Sequence, residues 1–101
     1  MIRAAFQIRG DSAEFTIEGH SGAGEQGTDI ICAAVSSAAY MAVNTVTEIL
    51  GVEAEAEDSD GFMRFRSHGS KAAADIVRGL QLHMEQLAGQ YPEYVTITTE
   101  V

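Results

Sequence analysis

Ile2, Ala4, Phe6 and Ile8 alternate with Arg3, Gln7 and Arg9, and Phe15 and Ile17 alternate with Glu14, Thr16 and Glu18. A repeat of two residues places the apolar side chains on one face of an extended strand and the polar ones on the other. A sheet of such strands has one dry face and one wet face, so the helices of the chain lie together on the dry side. The alternation returns in Val52, Ala54 and Ala56 against Glu53, Glu55 and Glu57, in Met63 and Phe65 against Arg64 and Arg66, and in Val95, Ile97 and Thr99. Gly10-Asp11-Ser12 and Asp58-Ser59-Asp60-Gly61 separate consecutive strands and read as hairpin turns. The arginines of the fourth strand are expected to pair with the glutamates of the third, each exposed pair contributing only ~0.2–1 kcal/mol.

Two segments carry the helical period instead. From Asp29 to Leu50 nothing breaks a helix, and apolar side chains go most of the way round it, from Ile30, Ile31 and Val35 to Met41, Val46, Ile49 and Leu50. Such a helix is covered on more than one side, by a neighbour in the fold or by a second copy of the chain. Gly51 closes it. Ser70 is the candidate N-cap of a second helix reaching about Ala88, with Ala73, Ile76, Val77, Leu80, Met84 and Leu87 as its apolar stripe. The order is therefore ββαββαβ. It predicts an α+β, two-layer fold: a five-stranded, mostly antiparallel or mixed sheet with two helices on one face, in a single domain over residues 1–101.

Fifteen acidic residues against six basic ones give a net charge of −9. That field repels phosphate backbones and argues against a nucleic-acid ligand, while it attracts a Lys/Arg-rich protein. No segment approaches the ~18 uninterrupted apolar residues of a membrane span, so no membrane partner is expected. Met1-Ile2-Arg3-Ala4 lacks the apolar region of a secretory signal, and the expected location is the cytoplasm. With a single cysteine, Cys32, no internal disulfide forms.

The connection between the second strand and the first helix holds a literal G-x-G-x-x-G in Gly22, Gly24 and Gly27. A dinucleotide site needs that pattern at a tight strand-to-helix turn, with an acid-bearing parallel strand soon after. Here the next strand begins only at Val52, and Glu25 and Asp29 put negative charge where the pyrophosphate would lie. The glycines fit better as a movable loop over Ser21–Thr28 beside a site, or equally as a flexible connection without a role of its own.

The ends of that loop are the chemically notable residues. With Asp29 or Thr28 as N-cap, Cys32 falls in the opening turn of the helix, where unpaired N–H groups and the macrodipole favour a thiolate. A glycine-rich loop of this length can return His20 to the sulfur as general base or imidazolium partner of a cysteine nucleophile. Equally, a cysteine between Ile31 and Ala33 can be a packed core residue. Asp29 is either a cap or the group that orients His20, and main-chain N–H groups around Cys32 are candidates for an oxyanion hole. His20 and Cys32 alone are too few ligands for zinc, and no metal is expected. His68 and His83 have no motif around them.

Gly19-His20-Ser21-Gly22 followed by Gly27-Thr28-Asp29-Ile30-Ile31-Cys32-Ala33-Ala34-Val35-Ser36 resembles the ribosomal-processing cysteine proteases, the Prp family, and the element order extends the likeness along the chain. The resemblance implies that His20 and Cys32 are the catalytic dyad and that Asp29 and Ser36 stand near it. Ser21, Gly22, Gly24 and Gly27 belong to the substrate loop. It implies a homodimeric endopeptidase without cofactor that removes an N-terminal extension, after an aromatic residue, from the large-subunit ribosomal protein numbered twenty-seven. Ser21 replaces the alanine usual after the histidine, and Ala23 and Gln26 stand where relatives commonly carry aromatic side chains. A basic ribosomal substrate agrees with the acidic charge. The alternative is a non-enzymatic module that binds such a protein through Glu53, Glu55 and Glu57.

Overall fold

The computed structural model describes residues 1–20, 22 and 29–100. Its elements are β1 (Ile2–Arg9), β2 (Ser12–Glu18), α1 (Ile30–Asn44) with a π-helical turn (Thr45–Ile49), β3 (Glu55–Ser59), β4 (Phe62–Ser67), α2 (Lys71–Gln90) and β5 (Val95–Glu100). The strands form one sheet in the order β3-β4-β2-β1-β5. β5 runs parallel to β1 and every other neighbouring pair is antiparallel. The sheet is thus mixed, and the expected α+β order is observed.

The alternation is borne out in β1, β2 and β4, whose inner residues are buried, but not in β3, where every residue is exposed because the edge strand stands clear of the helices. Phe6, Phe15 and Phe65 occupy one rung across β1, β2 and β4, with ring centroids 5.7 and 5.4 Å apart. Such aromatic pairs contribute ~0.5–1.5 kcal/mol each beyond the area they bury. Val35, Ala39, Ala42 and Val46 from the first helical segment, and Ala73, Ala74, Val77, Leu80 and Met84 from α2, complete the core against them. On the wet face Arg66 reaches Glu14 at 3.3 Å and Glu55 at 3.7 Å. The expected cross-hairpin pairing is therefore present at Glu55.

Two boundaries differ from the sequence reading. The third strand starts at Glu55, not Val52, and continues to Ser59, so the turn shrinks to Asp60-Gly61, with Gly61 at φ +70°. A two-residue turn with a left-handed glycine suits the twist of paired strands, which explains the extension. The first helix changes to π geometry at Thr45. There Thr45 and Thr47 donate their hydroxyls to the carbonyls of Met41 and Val43, at 2.7 and 3.1 Å, and this back-bonding accompanies the wider turn. Ser70 caps α2 as expected, its Oγ accepting from the Ala73 N–H at 3.0 Å.

Ile30–Ile49 is long and apolar enough to cross a membrane by length and composition. In this fold its Ile31, Val35, Ala39, Ala42 and Val46 stripe is buried in the core, while Ile30, Met41 and Ile49 stay exposed. α2 packs on β5, β1 and β2 and beside α1. The far side of α1 is separated from the β3–β4 hairpin by a cleft.

Candidate active site

Helix α1 supplies one wall of the cleft. Asp29 caps it: its Oδ1 accepts from the N–H of Ile31 at 3.1 Å and of Cys32 at 3.0 Å, while its main-chain carbonyl accepts from Ala33. The cap starts the helix so that Cys32 lies in the first turn, and Cys32, Ser36 and Tyr40 then succeed one another at intervals of four along the cleft. Cys32 is half-buried, packed at the margin of the core and opening to the cleft, and so is not sealed filler.

The opposite wall is the β3–β4 hairpin, contributing Asp58, Asp60, Gly61 and Met63, and the floor is formed by Ile2, Ile17 and Gly19. The cavity measures about 390 Å³. Register explains its chemistry. Asp58 opposes Met63 and Ala56 opposes Phe65, so Asp58 lies on the helix side of the sheet, whereas Glu55 and Glu57 oppose Arg66 and Arg64 on the wet side. Asp58 accepts a hydrogen bond from the Tyr40 hydroxyl across the cleft. That bond, with burial and the charge of Asp58 adding to it, raises Tyr40 above the ordinary phenol range.

His20 follows β2 and comes back over the cleft. Its Nδ1 lies 4.0 Å from Cys32 Sγ. Gly19, at φ +95°, is the pivot: a Cβ there would sit 2.3 Å from the carbonyl oxygen of Met1, so only glycine allows the close passage. The amino group of Met1 donates to the His20 carbonyl, and the Gly19 N–H donates to Gly61 at 2.8 Å.

The structure thus brings His20 and Cys32 together, with Asp29 bonded to the Cys32 main-chain N–H and Ser36 one turn along. Gly22 is exposed at φ +76°. Ser21, Gly24 and Gly27, with Thr28 and the expected movable loop, lie outside the described residues. The Asp29 carboxylate acts as the cap. It also engages the Cys32 N–H, so the expected oxyanion donor at that position is already bonded in this state. Sequence reasoning overlooked Tyr40, Asp58, Asp60 and Gly61. The signals were available: Tyr40 is eight residues beyond Cys32, and carrying the period of two past Ala56 places Asp58 on the inner face. Among the described residues no cluster of three or more His, Cys, Asp or Glu suits a metal ion.

The sequence profile of the cysteine protease Prp family matches residues 1–96. This chain belongs to the Prp family. It is a cysteine protease, and the half-buried thiol facing an imidazole is in keeping with that chemistry. Among Prp relatives, the ribosomal processing cysteine protease Prp of Bacillus subtilis (strain 168) is 25% identical over 111 residues, covering 100% of this chain and 99% of its own. Prp from S. aureus, solved with a covalently linked product peptide, superimposes with a TM-score of 0.90 at 21% identity, over 99% of this chain and 100% of that one. SMU.848 from Streptococcus mutans gives a TM-score of 0.74 at 30% identity, over 99% and 96% of the two chains.

Proposed function

We propose that Cys32 and His20 are the dyad with which this Prp-family protease removes the N-terminal extension of the large-subunit ribosomal protein numbered twenty-seven, acting as a cytoplasmic homodimer. The observation that carries the reading is the 4.0 Å approach of His20 Nδ1 to Cys32 Sγ at the head of a substrate-sized cleft. The contact is long for proton transfer, as is common before substrate tightens a site.

In the reaction His20 Nδ1 takes the thiol proton and the sulfur attacks the scissile carbonyl carbon. Collapse of the tetrahedral intermediate expels the amine, which receives the proton from the imidazolium, and leaves a thioester on Cys32. A water molecule deprotonated by His20 then attacks the thioester and releases the carboxylate product and the thiol. Asp29 supports this by holding the helix start that carries the sulfur.

The cleft supports the substrate class. Its apolar lining, which includes Ile17, Val35 and Met63, suits an aromatic side chain beside the scissile bond. Asp58 and Asp60 line it without a Lys or Arg among the described lining residues, which favours a basic peptide. The non-enzymatic module gives way to the protease reading. Its acidic patch is also weaker than the composition suggests, because Glu55 is engaged by Arg66 and Glu57 stands opposite Arg64. Incubating the protein with a peptide that carries the ribosomal extension tests the proposal. Cleavage by the wild type and its loss in Cys32→Ala and His20→Ala is expected, and equal cleavage by all three refutes it.

A further inference from the structure

The imidazole of His20 has two edges, and only one faces the thiol. Nδ1 points to Cys32, while Nε2 lies against the hairpin tip: a Cβ built on Gly61 would be 3.0 Å from Nε2, 3.5 Å from Cε1 and 3.6 Å from Cδ2. The same glycine accepts the Gly19 N–H through its carbonyl at 2.8 Å, fixing the residue from which His20 departs. One residue therefore touches both the backbone before His20 and the ring itself. The hairpin bearing it is tied across the cleft to α1, the helix of Cys32, by the Tyr40 hydroxyl on Asp58.

We propose that Gly61 is a positioning residue for the protease: the bare tip of the β3–β4 hairpin is the seat on which the His20 ring rests, and the absence of a side chain there sets its approach to Cys32. The inference builds on the dyad reading above. A Cβ at residue 61 lies 3.0 Å from Nε2, tighter than an ordinary van der Waals contact, so the ring has to give by a few tenths of an ångström. A ring moved by a few tenths of an ångström no longer presents Nδ1 to the sulfur in the same alignment, and proton transfer across the 4.0 Å contact changes with it.

Gly61 also has φ +70°, so backbone strain has to be separated from the contact with the ring. Gly10 supplies the control. It sits in the β1–β2 turn at φ +56° with nothing within 4 Å of an added Cβ, so Gly10→Ala carries similar strain and touches no catalytic group. Gly61→Asn supplies the complement, since asparagine tolerates a left-handed backbone but still brings a Cβ.

The experiment measures peptide cleavage, the pH dependence of Cys32 alkylation and the His20 ring resonances by NMR in the wild type, Gly61→Ala, Gly61→Asn, Gly10→Ala and His20→Ala. Both Gly61 variants are expected to lose about threefold or more in kcat with little change in KM, as misalignment of a reacting group by a fraction of an ångström does. Their alkylation profiles should move toward that of His20→Ala, and their His20 resonances should shift. Gly10→Ala should stay within about twofold of wild type on all counts, because it leaves the ring untouched. Wild-type kcat and unmoved ring resonances in Gly61→Asn, beside an inactive His20→Ala, overturn this inference alone. Undiminished cleavage by His20→Ala overturns the dyad and this inference with it.

Discussion

Replacement of Asp29 tests how the helix start holds the thiol. Its Oδ1 accepts two N–H groups, those of Ile31 and Cys32, at 3.1 and 3.0 Å. Losing an N-cap costs typically ~1 kcal/mol, and losing a negative charge at the N-terminus a further ~0.3–1 kcal/mol. Asp29→Ala is therefore expected to destabilise by about 1.5 kcal/mol, which for a chain of this size lowers Tm by roughly 6–10 °C. Asp29→Asn keeps the acceptor and loses only the charge, so its cost is about 0.5 kcal/mol, a drop of roughly 3 °C. If the lost cap acts locally, by fraying the turn that contains Cys32, the same free energy lowers kcat/KM by up to about tenfold in Asp29→Ala. Asp29→Asn should then recover most of that. Thermal unfolding and peptide cleavage on the three proteins give both quantities. An Asp29→Asn protein as unstable as Asp29→Ala refutes the capping argument. One with near-wild-type Tm but no activity assigns the catalytic contribution to the charge, not the cap.

The Tyr40–Asp58 bond predicts a titration. Because the folded-state value of Tyr40 is raised, this bond stabilises the fold fully below the ordinary phenol range and ceases to do so as pH rises through the elevated value. In tyrosinate absorbance, Asp58→Asn should move one of the three tyrosine titrations to lower pH; superimposable curves reject the bond. The dimer proposal rests on the outer side of α1, where Ile30 and Met41 are 78% and 71% exposed. At such a position Met41→Glu changes monomer stability by no more than ~0.5 kcal/mol, whereas in an apolar interface it buries a charge. Sedimentation should show a dimer for wild type and a monomer for Met41→Glu, and an unchanged dimer removes α1 from the interface.

The sheet was legible because its strands obey one rule, a period of two, with turn residues between them. Phe6, Phe15 and Phe65 could each be assigned to the dry face from local sequence. That Phe65 joins Phe6 and Phe15 on one rung could not, because the register between β2 and β4 depends on a pairing distant along the chain. The parallel placement of β5 beside β1 has the same origin. The boundaries moved where two local signals competed. Asp58-Ser59-Asp60-Gly61 has turn composition throughout, yet the tighter Asp60-Gly61 turn lets Asp58 and Ser59 join the ladder with Met63 and Phe62. In the first helix, threonine hydroxyls favour local back-bonding that no apolar pattern registers.

The site was legible in its two reactive residues and illegible in its supports, and the difference is one of chemistry. A thiol at a helix start and a histidine before a glycine loop announce themselves by residue type. The groups that place them are ordinary ones whose effect exists only after folding: a carboxylate on the inner side of an edge strand, a phenol two helical turns from the sulfur, and a glycine at a hairpin tip. Asp58 shows how such a residue arises. A charge on the dry face of a central strand would be buried and costly, but β3 is the sheet edge and α1 stands off from it across the cleft, so the carboxylate stays hydrated and accepts from Tyr40. The cleft exists because the dry face is left uncovered at that edge. The two elements bordering the gap, α1 and the β3–β4 hairpin, are the ones that carry Cys32 and support His20. On the dyad proposed above, a peptide entering the gap meets both elements at once, and the 4.0 Å Cys32–His20 contact is expected to shorten when the cleft is filled.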